Sequence, residues 1–160
     1  MVVGGIQIPY STSSIIRTPS RTASAPLGGQ QRLLTAVVVL LAVLAGGEAF
    51  FEHLRGSFCR RVMWTPVWIA PAVAGIGLAS LYRTAPVRQL MFVAALASTI
   101  DGLLGFYLHL RGIHRMPGGL HNLQFNAVMG PPLLAPLLFC VVGFLGLIAA
   151  AGPSPSGQGR

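Results

Sequence analysis

Apolar residues in this chain fall into four long runs separated by short polar stretches. The runs extend from about Leu33 to His53, Thr65 to Tyr82, Leu90 to Leu110 and Val128 to Gly152. Each is close to the ~20 residues that a helix needs to cross ~30 Å of hydrocarbon. Arg32, Arg55, Arg60, Arg61, Arg83, Arg88, Arg111 and Arg115 flank the runs. Phe50, Phe51, Trp64, Trp68, Tyr82, Phe106 and Tyr107 stand at the same levels, as residues of an interfacial aromatic belt do. The pattern predicts an all-α fold: an integral membrane four-helix bundle over residues 31–152, with short loops joining antiparallel neighbours.

The flanking segments read differently. Residues 1–30 hold Ser, Thr, Pro, Gly, Arg17 and Arg21, with no acid and no long apolar run. A disordered tail is the expectation, because such a segment cannot bury enough surface to fold alone. Its Ser and Arg content without acids also mimics an organelle transit peptide. Residues 153–160 are expected to form a short flexible tail.

Composition strengthens the membrane reading. The 160 residues are 53% hydrophobic and 9% charged, whereas a soluble domain carries about 25% charged residues. The net charge of +8 comes from eleven basic residues, all Arg, against three acids. Nucleic-acid binding is excluded on this reading, since it needs a basic face on a soluble fold. The expected partners are the lipid bilayer and either another protein or further copies of the chain, and the expected location is a bacterial inner membrane. With an even number of spans both termini share one side, which holds Arg17, Arg21, Arg32, Arg83, Arg88 and Arg160. The opposite side holds Arg55, Arg60, Arg61, Arg111 and Arg115. This near balance leans towards termini inside by a single Arg. Cys59 and Cys140 set no disulfide framework.

The chain also resembles itself. His53-Leu54-Arg55-Gly56 recurs as His109-Leu110-Arg111-Gly112, 56 residues on. Thr65-Pro66-Val67-Trp68-Ile69-Ala70-Pro71 has a counterpart in Gly130-Pro131-Pro132-Leu133-Leu134-Ala135-Pro136, 65 residues on, with Met116–His121 as an insertion between. An internal duplication of a helical hairpin is predicted, with the halves in parallel topology. Thr65 is the expected N-cap of its helix, and Pro66 sits where a missing N–H is harmless. Pro71 and Pro136 are expected more than a turn inside their helices, each kinking its helix or freeing a carbonyl towards a polar cavity.

Chemistry concentrates in the spans. Glu48, Glu52 and Asp101 are all of the acids, and each lies within a predicted helix. A charge at mid-span costs about 2.5–3.5 kcal/mol on the insertion scale, so it persists with a partner, a proton or a water-filled cavity. Glu48 and Glu52 share a face at i and i+4, and Ser98, Asp101, Gly105 and His109 form a small, polar stripe. One reading pairs the acids with Arg55, Arg111 or a histidine of the other repeat and gives them a structural role. The other makes Glu48, Glu52, Asp101, His53 and His109 an intramembrane polar site for a proton, an ion or a ligand.

No cofactor is expected on the first reading. The symmetric placement of His53 and His109 leaves haem between two helices as the alternative. A di-iron site is disfavoured because the second repeat lacks both Glu positions, and no metal site is predicted. His114 and His121 flank the Pro-Gly-Gly turn without a Cys pair that would indicate zinc.

The stretch Glu52-His53-Leu54-Arg55-Gly56-Ser57-Phe58, with Pro117-Gly118-Gly119 and Gly130–Pro136, resembles small bacterial four-span membrane proteins. The resemblance covers about residues 45–150 and implies the membrane class but no activity. Three functions remain open. The first is a non-enzymatic membrane subunit or accessory protein, since no catalytic constellation is found. The second is a small proton-coupled transporter using the intramembrane carboxylates. The third is a haem- or quinone-binding redox anchor.

Overall fold

A computed structural model describes residues 28–82 and 85–152. The expected N-terminal tail lies almost wholly outside these residues, and the tail at 153–160 lies outside entirely. The described residues are all-helical. Their elements are α1 (Gly29–Arg55), a 3-10 turn (Arg61–Trp64), α2 (Thr65–Ser80), α3 (Ala85–His114), a second 3-10 turn (Gly119–Asn122), α4 (Leu123–Met129) and α5 (Ala135–Ala151). Three helices are long and apolar enough to cross a membrane: Gly29–Arg55, Arg61–Ser80 and Pro86–His114.

Four helices pack in a ring. α1 lies against α2 and α5, and α3 lies against the same two helices from the other side. The core is made of small and medium side chains, with Val38, Ala42, Val73, Ala74, Met91, Val142 and Ala150 in one cluster. The large apolar side chains point outwards: Leu40 is 58% exposed, Trp68 69% and Phe144 61%. Small residues inside and large apolar residues outside are the arrangement of helices that approach closely and offer their bulk to lipid.

The tightest approach is between α3 and α5. A Cβ on Gly102 would lie 2.7 Å from the Cys140 amide nitrogen and 2.7 Å from the Pro136 carbonyl oxygen. Ser98 donates across this contact to the Phe139 carbonyl at 2.9 Å. At the far end of the ring, Gln31 Nε2 donates to the Ala149 carbonyl at 2.6 Å, tying the start of α1 to the end of α5.

Two helix openings differ from the sequence expectation. The fourth run was expected to open at Val128, but the short α4 ends at Met129 and α5 begins at Ala135. The segment Gly130-Pro131-Pro132 explains the break, because a residue preceding proline is driven out of helical geometry. Pro136 therefore sits in the first turn of α5 and not more than a turn inside it. It shares this place with Pro66, which opens α2, while Pro71 alone is internal. The helix openings thus correspond at Pro66 and Pro136, five residues off the register that pairs Pro71 with Pro136.

Thr65 is also not an N-cap. The 3-10 turn runs straight into α2, so Thr65 is already helical and Trp64 occupies the cap. Its hydroxyl is thereby released for contacts outside its own helix.

Candidate functional site

A cavity of about 680 Å³ opens at the end of the ring where α1 and α3 finish and α2 and α5 begin. The local sequence shapes its walls. At the end of α1, Ser57 and Phe58 adopt left-handed backbone angles, with φ of 56° and 46°. The Ser57 and Phe58 amides donate to the Leu54 and His53 carbonyls at 2.9 and 3.0 Å, closing the helix. The turn brings the Phe58 ring within 6.1 Å of the His53 ring and stacks it on Trp64 at 4.1 Å, each measured between centroids. Two consecutive non-glycine residues in this conformation cost roughly 1–2 kcal/mol each, and such local strain is retained where the surroundings over-determine it.

The opposite wall comes from the segment between α3 and α5. Gly118 and Gly119 take positive φ, 78° and 50°, and turn the chain back after Pro117. Asn126, only 1% exposed, pins this turn. Its Nδ2 donates to the Pro117 carbonyl at 3.1 Å and to the Gly119 carbonyl at 2.9 Å. Gly130, Pro131 and Pro132 then pass over the cavity before α5 begins.

All seven residues singled out in the sequence line this cavity: Glu48, Glu52, His53, Asp101 and His109, with Arg55 and Arg111. The side chains are graded by depth. Arg55, Arg60, Arg111 and Arg115 are exposed at the mouth, and Glu48, one turn before Glu52 on α1, is also exposed. Glu52, His53 and His109 are half-buried, and Asp101 is buried. Glu52 pairs with Arg55 of its own helix rather than with an Arg of the other repeat. His114, His121 and Pro71 are not part of the lining, so the carbonyl freed by Pro71 does not explain the cavity.

Asp101 is held by a neighbour that the sequence did not suggest. Its Oδ1 lies 2.5 Å from Thr65 Oγ1, which also lies 2.9 Å from the Val62 carbonyl oxygen. A hydroxyl has a single proton to donate. If Thr65 donates to Asp101, the carboxylate is charged and stabilised. If Thr65 donates to Val62, a protonated Asp101 donates to the Thr65 oxygen. Either protonation state keeps a hydrogen bond.

The histidines meet across the cavity, with ring centroids 6.4 Å apart and planes at 79°. His109 Nδ1 lies 2.8 Å from the Pro132 carbonyl. A carbonyl only accepts, so Nδ1 carries a proton, and in the neutral ring the lone pair is on Nε2. The His53 ring lies near the Ala49 carbonyl one turn back, yet its buried Nδ1 makes no hydrogen bond of normal geometry. Asp101 lies within electrostatic reach of His53.

Arg60, Arg115, Thr65 and Pro132 complete the site without having been singled out for it. The two Arg residues carried a signal, since each lies beside one copy of the His-Leu-Arg-Gly stretch. Thr65 and Pro132 carried one only in that both helix-opening motifs follow those stretches. No protein-family model, curated protein or solved structure matches the chain.

Proposed function

We propose that the protein is a four-span integral protein of a bacterial inner membrane, built by duplication of a helical hairpin. On this reading it acts as a non-enzymatic membrane subunit that holds a ligand at one membrane edge. The observation that carries this is the convergence of every acidic residue, two histidines and four arginines on one cavity with otherwise apolar walls. Isolated charges in a span are costly, and their gathering round a shared space is the usual signature of a binding or transport path. A volume of about 680 Å³ lies within the ordinary range for small-molecule sites, about 300–1,000 Å³.

Two further features support the architecture. α5 has 17 residues, about 25 Å of helix, at the short end of the spanning range. α1 ends on, and α3 ends just beyond, a His-Leu-Arg-Gly stretch, and α2 and α5 each open on a buried proline. The test is native mass spectrometry of the protein extracted in mild detergent. The expected result is a mass above that of the chain, from a protein partner, a second copy or a non-covalent ligand. A bare monomer overturns the ligand-holding reading, and a turnover of its own overturns the non-enzymatic one.

The Thr65–Asp101 contact favours a second reading. A buried carboxyl that keeps a hydrogen bond in both protonation states is suited to proton exchange, and so to a proton-coupled carrier. In proteoliposomes, Asp101→Asn would then abolish a pH-driven flux that the unaltered protein supports. Absence of flux from the unaltered protein under every imposed gradient removes this reading.

A further inference from the structure

The cavity's histidines narrow the class of ligand, an inference that rests on the reading of this cavity as a ligand site. His53 and His109 come from α1 and α3, helices that do not flank each other in the ring, and meet across the space between them. A metal held between two imidazoles, about 2 Å from each nitrogen, places the ring centres about 6 Å apart. The observed separation is 6.4 Å. His109 is already in the state of a ligand. Its Nδ1–H is donated to the Pro132 carbonyl, the outer-shell bond that fixes the tautomer and leaves Nε2 to a metal. The Nδ1 of His53 is buried against its own helix, so the atom this ring offers a metal is Nε2.

A bare ion does not fit. Among the described residues no group of three His, Cys, Asp or Glu side chains is placed to hold one. Two imidazoles can therefore retain a metal that brings its remaining ligands with it, and a porphyrin supplies four nitrogens. The rest of the cavity suits such a molecule. Its walls include Ala45, Leu104, Leu108 and Phe139, which match an apolar macrocycle. Its mouth carries Arg60, Arg111 and Arg115, besides the Arg55 paired with Glu52, and arginine is the side chain best matched to carboxylates such as propionates. No Cys-x-x-Cys-His attachment motif is present, so the group would be held without a covalent bond.

We infer that this chain binds one haem in the cavity, with His53 and His109 as axial ligands and Arg60, Arg111 and Arg115 receiving its propionates.

The test is the absorption spectrum of the full-length protein, expressed in haem-replete cells and purified in mild detergent, with stoichiometry from a pyridine haemochrome assay. A Soret band with one haem per chain is expected. His53→Ala and His109→Ala should each abolish the six-coordinate low-spin spectrum. His109→Met should restore an axial ligand with a shifted spectrum, which separates ligation from folding. Arg111→Gln should weaken haem retention about tenfold while leaving the spectrum unchanged. The inference is overturned if the unaltered protein shows no Soret band and gains none on titration with haemin. It is also overturned if both alanine variants keep the native spectrum. Native mass spectrometry of a colourless sample separates the two failures: a different ligand or partner defeats haem alone, whereas a bare monomer defeats the ligand-site reading as well.

Discussion

Asn126→Ala isolates the part of the site wall that owes most to a single side chain. Asn126 is buried and gives both amide protons to backbone carbonyls, those of Pro117 and Gly119. Removing it deletes two neutral hydrogen bonds at about 1 kcal/mol each. A buried carbonyl left without a partner adds about 1–3 kcal/mol, but Pro117 is exposed, so water re-solvates much of what is lost. The sum is about 2 kcal/mol, roughly a thirtyfold rise in the local opening constant. Hydrogen exchange across residues 116–130 reads this directly. The Gly119, His121 and Gly130 amides, bonded to the Met116, Gly118 and Asn126 carbonyls, are the natural probes. Exchange in α1 and α2 should not change. Asn126→Asp should be worse than alanine despite its similar shape, because an ionised carboxylate would face two carbonyl oxygens with no proton to donate. An opening constant altered less than threefold, or aspartate tolerated better than alanine, would refute the reasoning.

Three other outcomes follow from the packing. Gly102→Val should separate α3 from α5 and cost about 1–3 kcal/mol, seen as a lower midpoint in detergent-denaturation curves, because the new side chain meets the α5 backbone. Gly47→Val, where a Cβ meets nothing within 4 Å, is the matched control and should change the midpoint little. Thr65→Val should leave Asp101 without its hydroxyl partner and destabilise the protein by about 1–3 kcal/mol, while Thr65→Ser should retain most of the stability; loss in the serine variant with valine tolerated would show that the methyl group matters and not the hydroxyl. Ser57→Gly should stabilise by up to about 1 kcal/mol, since its φ of 56° is costly for a side chain; a lower midpoint in the same curves would count against strain at this turn.

The helices were legible because their signal is local. An apolar run such as Leu33–His53 bounded by Arg32 and Arg55 needs no tertiary information to be read as a helix. Their ends were less legible. α3 starts at Ala85 rather than Leu90 because Pro86 fits a first helical turn. α5 starts late because tandem prolines look like a helix opening but act as a break. At the site, helical spacing put Glu48 with Glu52 and Asp101 with His109, and the repeated His-Leu-Arg-Gly stretch put both histidines at one level. The bonds that turn these residues into a site span 36 residues from Thr65 to Asp101 and 23 from His109 to Pro132. Such contacts depend on how the helices dock, and no spacing rule reports them.

The asymmetry along the ring gives the charges their physical sense. At one end the helices close on Val38, Ala42, Val142 and Ala150, with Gln31 tied to the last turn of α5. At the other end, beside the irregular segments 56–60 and 130–134, the acids, His53, His109 and four arginines gather. Irregular backbone at membrane depth is tolerated where it lines a cavity. A charged side chain is tolerated in a span where it reaches water or a partner. Both conditions are met by the same space. The prolines between α4 and α5 and the buried Asp101 of α3 therefore line one space: Pro131 and Pro132 form part of the cavity wall, and the Pro132 carbonyl orients His109 within it.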